Sequence, residues 1–175
     1  MLKPYNLVLL VLALVIAVSF FLPWVSVESP QMGMLTKALA GKAEGALQTI
    51  SGFQIPVLAN GPDAQLIMTI AQIFSPNAKD VDKKSFLVWG IPVLAVAIFL
   101  LSLSLGKNKW FNLAVGVLGV LIFAVATFKI KTAPMDKVVL KINIIYGLWL
   151  MLFAYLGMGL ASLAGFVSAL KKAKS

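Results

Sequence analysis

Apolar and polar positions along the chain separate four long apolar runs from shorter polar segments. Residues 5–27, 86–105, 110–128 and 142–170 contain no charged side chain. A helix needs about 20 mostly apolar residues to cross a hydrocarbon core about 30 Å thick, at about 1.5 Å of rise per residue. The pattern therefore predicts four transmembrane helices at about those positions. Gly106-Lys107-Asn108-Lys109 makes a tight hairpin between the second and third runs, and residues 129–141 link the third to the fourth. Trp24, Trp110 and Trp149 stand near the ends of runs, where amphipathic rings sit at headgroup depth and act as membrane-interface anchors.

Residues 28–85 form the one segment long enough to fold outside the bilayer. Trp24-Val25-Ser26-Val27-Glu28 alternates large apolar with polar residues, which is a strand pattern, and Ser51-Gly52-Phe53-Gln54-Ile55 repeats it before Pro56. Together they predict a small antiparallel β-ribbon. Between them, Leu35, Leu39, Ala43, Ala46 and Ile50 recur at nearly helical spacing, though Gly41 and Gly45 weaken that helix. A second amphipathic helix is better supported. Pro62 suits its first turn, Asp63 favours the dipole there, and Ser75-Pro76 ends it. Its apolar stripe is Leu66, Ile67, Ile70, Ile73 and Phe74. Such a stripe has two uses: packing on the ribbon or bilayer surface, or docking a partner protein.

Composition agrees with burial in lipid. The chain has 175 residues, 61% hydrophobic and 12% charged, against roughly half apolar and a quarter charged in soluble domains. Net charge is +9, and every basic residue is Lys. The lysines stand singly or in pairs beside the apolar runs, a placement that suits anionic lipid headgroups and excludes nucleic acid as a partner. With the N-terminus inside, Lys3, Lys107, Lys109, Lys171, Lys172 and Lys174 face the cytoplasm, against Lys129, Lys131, Lys137 and Lys141 in the short outer loop. The lysine bias thus places both termini in the cytoplasm and residues 28–85 in the periplasm or outside the cell. The first run exceeds a signal-peptide core and lacks a small-x-small cleavage site, so it reads as a retained span.

The chain contains no Cys and no His, which removes disulfides, the usual zinc, iron–sulfur and haem ligands, and Ser-His or Cys-His nucleophile systems. No Asp, Glu, Lys or Arg lies within the four runs either, so proton relays and ion-coupled transport lack the groups they require. Asp80 and Asp82 are a poor match to a calcium loop and read as a solvated charge run. No catalytic residue, metal site or cofactor is assigned. The spans do carry small residues at packing intervals. Gly157, Ala161 and Gly165 share one face of the last helix, with the looser pairs Gly116–Ala124 and Gly119–Ala126 on the third. Such a face packs helices within one chain or seats another subunit.

Three short motifs carry a resemblance: Phe21-Leu22-Pro23-Trp24 ending the first run, Ser51-Gly52-Phe53, and Tyr146-Gly147-Leu148-Trp149 opening a Gly-rich last run that ends in lysines. Together they resemble a loose group of small, uncharacterised bacterial four-helix membrane proteins. The plan of four spans with a large first outer loop is also similar to the claudin type, whose cysteine pair is missing here. The resemblance implies topology and no activity. The expected architecture is an all-α membrane protein: a four-transmembrane-helix bundle whose large first extracytoplasmic loop holds a small β-ribbon and one or two amphipathic helices. The expected role is a non-catalytic accessory or scaffold subunit of a complex in the bacterial cytoplasmic (inner) membrane, with lipids and other membrane subunits as partners. The alternative is a small homo-oligomeric transporter, channel or lipid-handling protein, with a pore or groove lined by Ser19, Ser102, Ser104 and Thr127.

Overall fold

A computed structural model describes residues 4–28, 47–62, 84–133, 136–137 and 140–172, with Ala64, Ile67, Met68 and Ala71. In chain order the elements are α1 (Pro4–Ser19), β1 (Pro23–Glu28), β2 (Leu47–Ser51), the short α2 (Gln54–Ala59), a 3-10 turn (Phe86–Trp89) leading into α3 (Gly90–Leu105), α4 (Lys109–Thr132), β3 (Asp136–Lys137), β4 (Leu140–Ile144) and α5 (Tyr146–Lys172). They form two compact units. A helical unit comprises Met1–Ser19, Trp89–Lys129 and Leu150–Ser175, and a sheet unit comprises Phe20–Val88 and Ile130–Trp149.

Three helices are long and apolar enough to cross a membrane: Phe86–Leu105, Lys109–Thr132 and Tyr146–Lys171. The first apolar run differs from expectation. It divides into the 16-residue α1 and the strand β1. The break falls at Phe20–Leu22, just before Pro23, whose missing N–H and fixed φ end a helix and suit the first position of a strand. Beyond it, the β-branched residues of Val25-Ser26-Val27 find strand partners on both sides.

In the helical unit α5 is the most enclosed helix. Met151, Leu152, Ala154, Tyr155, Met158 and Ser162 are buried, as are Leu9, Ala13 and Ile16 of α1, Ala95 and Ile98 of α3 and Val115 of α4. The buried positions of α1 recur every three or four residues, whereas Leu7, Val8, Val11, Leu14 and Val18 are exposed on its other faces. Helices α4 and α5 approach most closely through glycine. A Cβ added at Gly119 would lie 2.6 Å from the Tyr155 carbonyl oxygen and 2.9 Å from Gly159 Cα. Only backbone lines that contact, so no side-chain movement makes room. The Tyr155 hydroxyl, carried into an apolar core, donates to the Ile91 carbonyl at 2.5 Å, which satisfies a group that would otherwise be costly to bury.

The sheet unit contains a four-stranded antiparallel sheet, ordered β2-β1-β4-β3. Strand β1 is central: Val25 pairs with Ile50 on one side and Ile144 on the other, and Val27 pairs with Gln48 and Ile142. The expected ribbon is therefore corrected in two respects. The partner of β1 is Leu47–Ser51 rather than residues 51–55, because Gly52-Phe53 turn the chain and Gln54 opens α2. Ile50, assigned by its spacing to a helical stripe, is a strand residue 1% exposed. The fourth run is also corrected. Residues 140–144 form β4, and α5 begins only at Tyr146. Leu140-Lys141-Ile142-Asn143-Ile144 alternates apolar and polar residues, the period of a strand, and that local pattern prevails over the apolar context.

Candidate functional site

The three short motifs fold into one corner of the sheet unit. The Phe53 N–H donates to the Phe20 carbonyl at 3.1 Å, and the Ile145 N–H donates to the Trp24 carbonyl at 2.8 Å. The Ser51 N–H donates to Gln54 Oε1 at 2.9 Å, closing the turn that carries Gly52. A Cβ at Gly52 would stand 2.5 Å and 2.7 Å from two Trp24 ring carbons and 2.8 Å from the Phe20 ring. One at Gly147 would collide with the Pro23 carbonyl oxygen. Both glycines are thus required by close approach.

The corner is aromatic. The Phe20 ring is edge-on to Phe21, Trp24 and Phe53, with centroids 5.7, 5.8 and 6.4 Å away. Phe21 and Phe53 stack at 5.5 Å. Phe20 and Trp24 are buried, while Phe21 is 64% and Phe53 41% exposed. This corrects the expectation for Trp24, whose ring is a core residue of the sheet unit and not an exposed interface anchor. Trp110 is exposed, with the Lys109 ammonium 5.7 Å from its ring centroid, and Trp149 is half-buried.

The helical unit holds a separate feature, an open cleft of about 1000 Å³ lined by both polar and apolar side chains. Its wall is built from the first turn of α1 (Tyr5, Asn6), the end of α3 and the following loop (Ser102, Leu103, Ser104, Gly106, Lys107), Asn112 of α4, and the C-terminal half of α5 (Ala161, Ala164, Gly165, Ser168, Ala169). A part-buried hydrogen-bond network runs through its lining residues Tyr5 and Asn112. The Tyr5 hydroxyl donates to Asn112 Oδ1 at 2.8 Å and lies 3.2 Å from Ser162 Oγ. Asn112 Nδ2 donates to the Gly106 carbonyl at 3.1 Å, satisfying a backbone acceptor left at the end of α3. Asn112 therefore ties α1, α4 and the α3 end together. The start of α4 is capped by Asn108, whose Oδ1 accepts the Trp110 N–H at 2.9 Å. The hydroxyls of Ser102, Ser104 and Ser168 donate to carbonyls of their own helices, Phe99, Leu101 and Ala164.

Of the small-residue face on α5, Gly157 stands against Leu12, and Gly165 against Asn112 and Tyr5, while Ala161 lines the cleft. This face is turned to other helices of its own chain. Gly159, on the adjacent stripe and not singled out by spacing, packs directly on the α4 backbone at Gly116, Gly119 and Val120. Of the proposed outer-loop partner stripe, Ile67 is only 4% exposed and is corrected to a buried residue. Leu66, Ile70, Ile73 and Phe74 lie outside the described residues, as do Asp80 and Asp82. Of the four residues expected to line one groove, only Ser102 and Ser104 line the cleft; Ser19 is buried and bonded to the Ile16 carbonyl, and the Thr127 hydroxyl is buried elsewhere on α4. Asn143 is in β4, paired with Ser26. Sequence reasoning missed Tyr5 and Asn6. The available signal was a polar pair in the first turn of an otherwise apolar helix.

Comparison of the chain with protein-family models, with curated proteins and with solved structures finds no match.

Proposed function

We propose that this protein is a non-catalytic accessory or scaffold subunit of a membrane complex, and that the Phe21–Phe53 pair is part of its contact with a partner. One observation carries the reading. Two stacked aromatic rings, 64% and 41% exposed, are held by an edge-on Phe20 and by a backbone hydrogen bond between Phe53 and Phe20. Rigid, exposed aromatic side chains lose little conformational entropy on binding and dominate interface energetics. The partner in this reading is the extramembrane part of another membrane protein. The motifs that distinguish the chain are consumed in building this corner, where the one serine they bring, Ser51, donates its hydroxyl to Gln54 Oε1 at 3.3 Å.

The same reading has the chain cross the bacterial cytoplasmic membrane four times, with α1 as the first crossing. Its 16 residues rise about 24 Å, short of a core about 30 Å thick. Local thinning and the reach of Lys3 absorb such a mismatch. What supports insertion is the exposed apolar surface around α1, which has no favourable partner in water. Both termini are then cytoplasmic and residues 28–85 periplasmic or extracellular, following the lysine bias.

The test is isolation of the tagged full chain from native membranes in a mild detergent, read by native electrophoresis and mass spectrometry. The expected result is a complex of fixed stoichiometry that is lost in the Phe21→Ala/Phe53→Ala variant while the variant itself is still recovered folded. Recovery of the wild type only as a monomer or homo-oligomer, after cross-linking in intact membranes, overturns the proposal.

A further inference from the structure

From the cleft in the helical unit we infer a binding site for the phosphate headgroup of an anionic phospholipid. The inference goes beyond the scaffold reading and does not depend on it.

Charge is the first argument. The helical unit (Met1–Ser19, Trp89–Lys129, Leu150–Ser175) contains Lys3, Lys107, Lys109, Lys129, Lys171, Lys172 and Lys174 and not one Asp or Glu. Lys107 lines the cleft and is exposed, and Lys171 and Lys172 follow on α5 within one turn of the lining residue Ala169. An anion entering the cleft therefore meets a wall that carries the Lys107 ammonium and no acidic side chain.

Donor chemistry is the second. A phosphate oxygen only accepts, so a site for it needs free N–H or O–H groups. The serine hydroxyls of the wall spend their protons on helix carbonyls. Three donors remain: the Lys107 ammonium, the Asn6 amide, which makes no hydrogen bond among the described residues, and the second N–H of Asn112 Nδ2. Asn112 is 3% exposed and fixed by Tyr5 and Gly106, so its free N–H is held in place before any ligand arrives. Preorganised donors of this kind lower the cost of ordering the site on binding.

Shape separates a lipid from a free anion. The cleft, at about 1000 Å³, is far larger than a phosphate ion. Its wall includes Leu103, 48% exposed, and one turn back on the same face of α3 Leu100 is 56% exposed. A headgroup held by Lys107, Asn6 and Asn112 leaves its acyl chains to run along those leucines, whereas inorganic phosphate gains nothing from them.

The experiment uses the detergent-solubilised full chain, titrated with short-chain phosphatidylglycerol, short-chain phosphatidylcholine and inorganic phosphate and read by native mass spectrometry. The wild type is expected to bind phosphatidylglycerol in preference to phosphatidylcholine, with no competition from millimolar phosphate. Lys107→Gln/Asn6→Ala should weaken phosphatidylglycerol about tenfold, the scale of one lost charge-assisted contact near a membrane surface. Lys107→Arg should retain binding, and Lys37→Gln, the same change in net charge within the sheet unit, should leave it unaltered. Equal binding by Lys107→Gln/Asn6→Ala and wild type overturns the inference, as does equal binding of the two lipids. Competition by inorganic phosphate at the lipid's own affinity would show a simple anion site and overturn the assignment to a lipid. Because no partner protein enters this assay, its failure and that of the scaffold reading are separately observed.

Discussion

Replacing Gly52 by Ala tests the motif corner at its tightest point. The new methyl carbon would lie 2.5 Å and 2.7 Å from two carbons of the Trp24 ring and 2.8 Å from Phe20. Carbon atoms in contact prefer about 3.5–4.0 Å, so the rings must retreat by about 1 Å. Neither has room. Trp24 and Phe20 are each 4% exposed, and Phe20 is held edge-on against three other rings. Overpacking of this kind costs about 1–3 kcal/mol. At about 2–4 °C per kcal/mol for a chain of this size, the thermal midpoint should fall by about 2–12 °C. The measurement is thermal unfolding of the purified protein in detergent, followed by Trp fluorescence. A double-mutant cycle identifies the cause. Trp24→Phe removes the colliding edge of the indole, so alanine at position 52 should cost less in that background by about 1 kcal/mol or more, with Phe20 leaving part of the penalty. Additive effects, or a Gly52→Ala variant within about 0.3 kcal/mol of wild type, would refute the steric account.

Two further outcomes follow from the helical unit and its topology. Gly119→Ala should destabilise the protein markedly more than Gly157→Ala, since the first Cβ meets backbone at 2.6 Å and the second meets only Leu12 at 3.4 Å, an ordinary contact; thermal stability of the two variants in one detergent decides it, and equal loss refutes the packing order. The chain has no native cysteine, so single cysteines at Lys107 and at Phe53 report sidedness cleanly. In intact cells a membrane-impermeant thiol reagent should label Phe53→Cys and spare Lys107→Cys until the membrane is opened, and the reverse pattern inverts the proposed topology.

Length and polarity of the apolar runs determine that residues 86–105, 109–132 and 146–171 are helices able to enter lipid. That property belongs to each segment alone, since a helix satisfies its own backbone hydrogen bonds. Small residues every four positions on α5 likewise mark a helix built to pack closely. A strand has no such independence, because its hydrogen bonds go to another segment. The alternation in Val25-Ser26-Val27 was legible, but its partners were not: Leu47–Ser51 carries only a weak pattern, and Leu140–Ile144 adjoins a long apolar helix whose character masks it. The candidate sites have the same origin. Phe21-Leu22-Pro23-Trp24, Ser51-Gly52-Phe53 and Tyr146-Gly147 are visible as short motifs, yet nothing local says that one glycine faces the Trp24 ring and another the Pro23 carbonyl. Tyr5, Asn112 and Ser162 are separated by 107 and 157 positions along the chain and meet only because α1, α4 and α5 pack side by side. Such a polar contact in an apolar body is a property of the packed helices. No single helix carries enough information to place it.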